Sequence, residues 1–308
     1  MDRTVNEVYI DYLNYLALKN KVTTIKGIEY RFKKYILPFF GQKKINDIKS
    51  QDYIDFQIYL KQFNNSPSFY ETLHITIKKF FDYLSLIYNL ENIVKKVGYY
   101  KSDCVYISNQ KKGTFSKKEF NKFIKVVDNN IYHALFNTLY YCGLRKGEAL
   151  ALKINDFDGK SLTINKTLTK EKFNGQRQLL TPKTKKSNRI ISLDFKMRSE
   201  IKTLIKYYSK NFNDFNTDFF LFGGDKPIAT TTLERKKNKY CKLAKVKQIR
   251  IHDFRHSHAT ILYKKNVQIK LIQQRLGHNN INTTLNTYVH TDEMQEKRLI
   301  NVINLLRF

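Results

Sequence analysis

Cysteine, acidic residues and long apolar runs are all scarce in this chain of 308 residues, and each scarcity closes off a class of protein. The three cysteines, Cys104, Cys142 and Cys241, stand far apart, form no CxxC pair and leave an odd count. That usage argues against a disulfide framework and for a reducing cytoplasm. Met1 to Leu16 alternates charged with apolar residues, so neither a signal peptide nor a membrane span is expected, and the protein should stay where it is made. No GxxxxGK[ST] phosphate loop and no internal repeat occurs, which leaves nucleotide hydrolysis without a visible site. Asp and Glu number 27 against 56 Lys and Arg, a net charge of +29, yet the chain is 42% hydrophobic, with Tyr and Phe along its whole length. A disordered basic tail would lack such residues, so the charge belongs to folded surfaces. A polyanion would relieve their mutual repulsion and release its own condensed counterions. Nucleic acid is the leading partner by this argument, and an anionic membrane surface is the alternative.

The length suits two domains, each with its own core. Val5, Val8, Tyr9, Tyr12, Leu13 and Leu16 follow the spacing of an amphipathic helix. A second helical run passes through Ile25, Ile28 and Phe32 and is expected to stop near Pro38; a third follows Ser50 through Tyr53, Ile54 and Leu60. Ser66 caps a fourth, with Pro67 at the first helical position, where a missing amide hydrogen is harmless, and apolar residues continue to Leu90. These four helices make an all-helical domain over residues 1–97. Residues 98–113, polar and Lys-rich without a helical period, read as a linker. A second domain over 114–308 opens with Ser116 and Glu119 at capping-box spacing. A helix over Ile131 to Cys142 leads to a turn at Gly143, and β-like runs follow at Ser161–Leu168, Gln176–Leu180 and Arg189–Leu193. They predict a small antiparallel sheet in an otherwise mostly helical domain. The fold class is therefore mainly α, with an all-helical first domain and a mixed α/β second one.

Three segments carry chemistry. Gly143-Leu144-Arg145-Lys146-Gly147-Glu148 sets an Arg directly after a helix-ending turn, with Glu148 on the same face. A guanidinium keeps its charge and presents a planar fork that matches two phosphate oxygens; the plainer reading is a surface Arg paired with Glu148. In His252-Asp253-Phe254-Arg255-His256-Ser257-His258, His252 and Arg255 are three residues apart at a helix start and can grip one phosphate. His252 and His256 also have the i, i+4 spacing of zinc-binding helices, but no Glu follows the first His and no third ligand suggests itself. His256 and His258 are expected to pack or to face solvent. Finally, Leu276-Gly277-His278 is followed by Thr287-Tyr288-Val289-His290. Tyr288 alone, in a chain with 21 Tyr, would signify nothing.

Taken in order, the strings GLRKGE, TPKTKKSNR, HDFRHSHA, LGHNN and NTYVH, from Gly143 to His290, resemble the signature of the tyrosine recombinases, the phage integrase family, and above all integrases of phages and conjugative transposons. The resemblance implies a helical core-binding domain followed by a catalytic domain. It makes Tyr288 the nucleophile, Arg145 and Arg255 the phosphate clamp, His252 and His278 their partners, and Lys183 the general acid, with Lys185 and Lys186 close enough to compete for that role. Glu148 resembles the acidic residue that braces the first Arg. No cofactor and no metal are implied. The implied partners are double-stranded DNA, a homotetramer in the synaptic complex and, where the system uses one, an accessory DNA-bending or directionality protein; a membrane is not among them. The implied function is site-specific recombination through a 3′-phosphotyrosine, for integration and excision of a mobile element. Multimer resolution and inversion use the same chemistry, and a type IB topoisomerase or an inactive DNA-binding relative are the alternatives. The apolar stretch after Met294, with Leu299, Ile300, Val302, Ile303, Leu306 and Phe308, is expected to form a helix exchanged between protomers, or else to pack on its own domain. Many relatives carry an extra N-terminal arm-binding domain, whereas here the first helix begins almost at Met1, which suggests a simpler recombinase or one without arm sites.

Overall fold

The computed structural model describes residues 2–99, 113–173, 176–180 and 188–277, with the backbone alone for 170–173 and 176. The chain divides into two compact units, Met1–Lys111 and Lys112–Phe308. In the first, α1 (Val5–Ala17) starts from Thr4, whose side chain accepts from the Glu7 amide while Glu7 accepts from the Thr4 amide at 2.7 Å. Its Val5, Val8, Tyr9, Tyr12 and Leu16 are buried, as the apolar spacing requires. Next come α2 (Val22–Arg31), a π-helical turn over Phe32–Ile36, α3 (Leu37–Phe40) and α4 (Ser50–Tyr59). They are followed by α5 (Pro67–Tyr88), which Ser66 caps, and α6 (Ile93–Val97). The core is aromatic: Phe32 stacks on Tyr9 at 4.7 Å between ring centres, and Phe80 meets both Phe32 and Tyr12 edge-on at 5.2 Å.

Two details depart from the sequence reading. The helix does not stop at Pro38 but runs on to Phe40, because the π turn lets the Leu37 amide reach back to the Phe32 carbonyl. Pro38 then lies in the first turn of α3, where it needs no amide hydrogen. In addition, α6 is a short helix that the apolar pattern did not reveal, started by Asn92 accepting from the Lys95 amide.

The second unit begins with α7 (Lys117–Lys125), capped reciprocally by Ser116 and Glu119 as expected. Next, α8 (Asn130–Cys142) is buried along most of its length and ends at Gly143 in the left-handed region, φ 66°. The short α9 (Lys146–Ala151) follows at once. Four strands come next: β1 (Ser161–Ile164), β2 (Thr167–Phe173), β3 (Gln176–Leu180) and β4 (Arg189–Ser192). Rather than one sheet they form two antiparallel ladders, β1 with β4 and β2 with β3, and the run read as Ser161–Leu168 is broken at Asn165 and Lys166. Helices α10 (Phe195–Asn211), α11 (Thr230–Leu243), α12 (Ile251–Lys264) and α13 (Ile269–Leu276) complete the described part. A core with Phe120, Phe123, Phe136 and Phe254 at its centre joins α7, α8 and α12. Cys142 and Cys241 are buried and unpaired, and no described helix is long and apolar enough to cross a membrane.

Candidate active site

The site grows from three chain reversals that meet at the end of α13. The first is Gly143. Its positive φ ends α8, and a Cβ there would lie 2.6 Å from His258 Cδ2 and 2.9 Å from Leu276 Cδ2, so glycine is required by both backbone and space. The turn delivers Arg145 to the N-cap of α9. Arginine has no acceptor, so only the returning half of a capping box forms: Glu148 Oε2 accepts the Arg145 amide at 2.9 Å, and Glu148 Oε1 takes Arg145 Nη1 at 2.7 Å. Gly147, between them, lets β2 approach, since a Cβ would lie 2.5 Å from Thr167 Oγ1.

Glu148 is 4% exposed and is shared. Arg189, at the start of β4 and itself 7% exposed, donates to Glu148 Oε2 at 2.8 Å from Nη2 and to Oε1 at 3.2 Å from Nη1. Burial alone would raise the Glu148 carboxyl. The hydrogen bond and charge of Arg189, joined by the charge and amide of Arg145, outweigh it and bring the pKa down to about 2. The carboxylate is therefore a fixed negative anchor between two guanidinium groups.

The second reversal is the start of α12. Asp253, buried, accepts the Arg250 amide at 2.9 Å and its guanidinium at 2.8 Å, which fixes the first turn carrying His252. The outer edge of His252 is open to solvent. Desolvation of its packed edge, then the charge of His256, Arg255 and Arg250, pushes the imidazole down to about 4, so it is neutral at pH 7. His256 stands edge-on to it at 4.7 Å between ring centres. Arg255, one turn on, is only 2% exposed and donates from Nη1 to the Gly143 carbonyl at 2.8 Å and from Nη2 to the Leu276 carbonyl at 2.6 Å. His258 is a packing residue: burial, then the charge of Arg275, holds it neutral with a pKa near 3, and Arg275 Nε donates to its Nε2 at 3.2 Å.

Gly277, in the left-handed region at φ 66°, is the third reversal, and its carbonyl accepts Arg145 Nη2 at 3.0 Å. Arg145 and Arg255, far apart in sequence, thus share the end of α13, and His278 is the next residue in the chain. Lys183, His278 and Tyr288, together with the stretch after Met294, lie outside the described residues, as do Cys104, Lys185 and Lys186. No group of three potential metal ligands occurs among the described residues. Arg189 and Arg275 had no role in the sequence reading. Arg189 closes the TPKTKKSNR string, but its partner lies 41 residues away and no local spacing betrays the pair.

This arrangement offers a chemistry of anion recognition. Arg145 is 37% exposed at its side chain and uses two nitrogens to lock its orientation, which leaves further N–H donors for a phosphate. Residues 114–295 match the phage integrase family, and residues 4–61 match the N-terminal SAM-like domain of phage integrases. The chain is 26% identical over 300 residues to the ICEBs1 integrase of Bacillus subtilis (strain 168), a match that covers 95% of this chain and 80% of that protein. Its fold matches the Tn1549 transposon integrase in complex with a circular intermediate DNA, at a TM-score of 0.80, 19% identity and coverage of 97% and 99% of the two chains. It also matches a lambda integrase tetramer bound to a Holliday junction, at a TM-score of 0.65, 14% identity and coverage of 93% and 78%. At these identities the structural likeness is one of fold.

Proposed function

Because the chain belongs to the phage integrase family, the tyrosine recombinases that cut and rejoin DNA, we propose that it recombines specific duplex sites through a 3′-phosphotyrosine on Tyr288, moving a mobile element into and out of a host DNA. The observation that carries this reading is the meeting of Arg145 and Arg255 on the Gly277 and Leu276 carbonyls, the two residues before His278. A phosphodiester under attack gains charge on its non-bridging oxygens. Guanidinium groups held in place beforehand stabilise that state more than the ground state.

In this mechanism the Tyr288 oxygen attacks phosphorus, the P–O bond to the tyrosine forms, and the bond to the 5′-oxygen breaks. Lys183 supplies the proton to the leaving 5′-oxygen. His252, neutral at pH 7, hydrogen-bonds the phosphate without adding charge. Arg145 and Arg255 hold the phosphate, Glu148 keeps Arg145 in place, and His278 completes the set around it. The phosphotyrosine conserves the phosphodiester energy, so a 5′-hydroxyl from another strand reverses the step and expels Tyr288 without ATP. Both the helical and the catalytic unit contact the duplex, and the excess of Lys and Arg meets backbone phosphates. Four copies act together. The lambda integrase, alike in fold, binds a Holliday junction as a tetramer, and that likeness supports the assembly.

The test is trapping on a nicked duplex that carries the end sequence of the encoding element, with wild type and Tyr288→Phe compared on a denaturing gel. An adduct from wild type alone supports the reading, and exchange between two sites then separates recombination from topoisomerase-like relaxation. Tight site-specific binding with no adduct from either protein refutes it.

A further inference from the structure

Three consecutive carbonyl oxygens at the end of α13 each accept from a different arginine. Arg189 Nε reaches Arg275 O at 2.7 Å, Arg255 Nη2 reaches Leu276 O at 2.6 Å, and Arg145 Nη2 reaches Gly277 O at 3.0 Å. The last carbonyls of a helix have no partner within it and form the negative end of its dipole, so cations settle there. Arg189 differs from the other two in what its far end does. It grips Glu148 with both terminal nitrogens, and Glu148 in turn orients Arg145 through Nη1 and the backbone amide. Arg189 therefore holds both supports of Arg145: the carboxylate on one side and the helix end on the other.

A second observation points the same way. A Cβ on Gly277 would lie 3.1 Å from Arg189 Nη1 and 3.3 Å from its Cδ, so the bare glycine is what lets the Arg189 side chain lie against the turn. Arg189 also begins β4, directly after the segment that carries Lys183. We infer that Arg189 is a positioning residue for strand cleavage, joining Glu148, the α13 turn before His278 and the strand after Lys183 into one rigid unit that fixes Arg145 toward the scissile phosphate. The inference rests on the recombinase reading above.

A Lys at this position keeps the charge beside Glu148 but lacks the planar fork whose three separate nitrogens reach the Arg275 carbonyl and both carboxylate oxygens. Arg189→Lys should therefore bind DNA within about threefold of wild type. At saturating nicked duplex it should form the covalent adduct about 100-fold more slowly in single turnover, the scale of loss that a misplacement of about 1 Å brings. A wild-type rate at saturation, or a loss confined to DNA affinity, overturns the inference. If Arg189→Lys fails to fold, Arg189→Gln combined with Glu148→Gln removes both buried charges and is compared with Glu148→Gln alone. A further loss of about tenfold or more then supports positioning, and equal rates overturn it. Absence of a wild-type adduct refutes the recombinase reading and this inference together, whereas equal adduct rates in wild type and Arg189→Lys refute the inference alone.

Discussion

Replacing Glu148 by Gln keeps the shape of the side chain and removes the one charge that Arg145 and Arg189 share. A carboxyl that titrates at 4.5 in the unfolded chain and at about 2 in the folded one holds about 3 kcal/mol of stability at neutral pH. Breaking a buried pair while its partner cation stays in place costs about 3–5 kcal/mol, which agrees with that figure. Because Glu148 is 4% exposed and Arg189 7%, solvent screening takes little from it. The sign follows from the depressed pKa: the contribution is fully present above pH 4.5 and disappears as the pH falls toward 2. The chain contains no Trp, so a single Trp in place of Tyr207, an exposed position on α10, reports unfolding of this unit alone. Urea titrations of wild type and Glu148→Gln in that background should differ by about 3 kcal/mol at pH 7, with the gap closing as the pH falls. A gap below about 1 kcal/mol at pH 7, or one that does not change with pH, would refute the view that Glu148 is a buried anchor.

The same Trp reporter tests His258, whose neutral form is enforced by burial and by Arg275. Below pH 6.5 the unfolded chain takes up a proton that the folded His258 refuses, so wild type should lose about 3 kcal/mol relative to His258→Gln between pH 6.5 and pH 4. Parallel pH slopes for the two proteins would rule this out. In a helix Gly147→Ala ordinarily stabilises by about 1 kcal/mol. Here the new methyl meets Thr167 Oγ1 and Leu168 O, so the substitution should destabilise by about 1–3 kcal/mol, and Thr167→Ala should recover part of the loss in a double-mutant cycle. The two arginines should part company under substitution: Arg145→Gln lowers adduct formation by about 100-fold or more with modest effect on unfolding. Arg255→Gln, which strips the Gly143 and Leu276 carbonyls of a buried donor, should cost about 2–4 kcal/mol of stability as well. Equal unfolding free energies for the two variants would contradict the burial difference between them.

The elements with local causes were legible in the sequence. Thr4 with Glu7, Ser116 with Glu119, and Ser66 before Pro67 start helices because their partners lie within one turn. Gly143 ends one because only glycine takes its backbone shape without strain. The order of the motifs also names the residue types for phosphate chemistry, since a planar charged fork, an imidazole and a phenol are each fixed by side-chain identity. What the sequence could not decide was partnership over distance. Arg145 meets the Gly277 carbonyl across 132 residues and Arg255 meets the Gly143 carbonyl across 112, and no periodicity encodes either contact. Nor could the string decide between packing and solvent for His258: folding seals it beside Arg275, while His252, six residues earlier, stays open at one edge. Arg189 is the sharpest case. In sequence it is one cation among 56 Lys and Arg. Folding sets it against a buried carboxylate and a helix end at once, and that double contact, a property of tertiary structure alone, gives it a role.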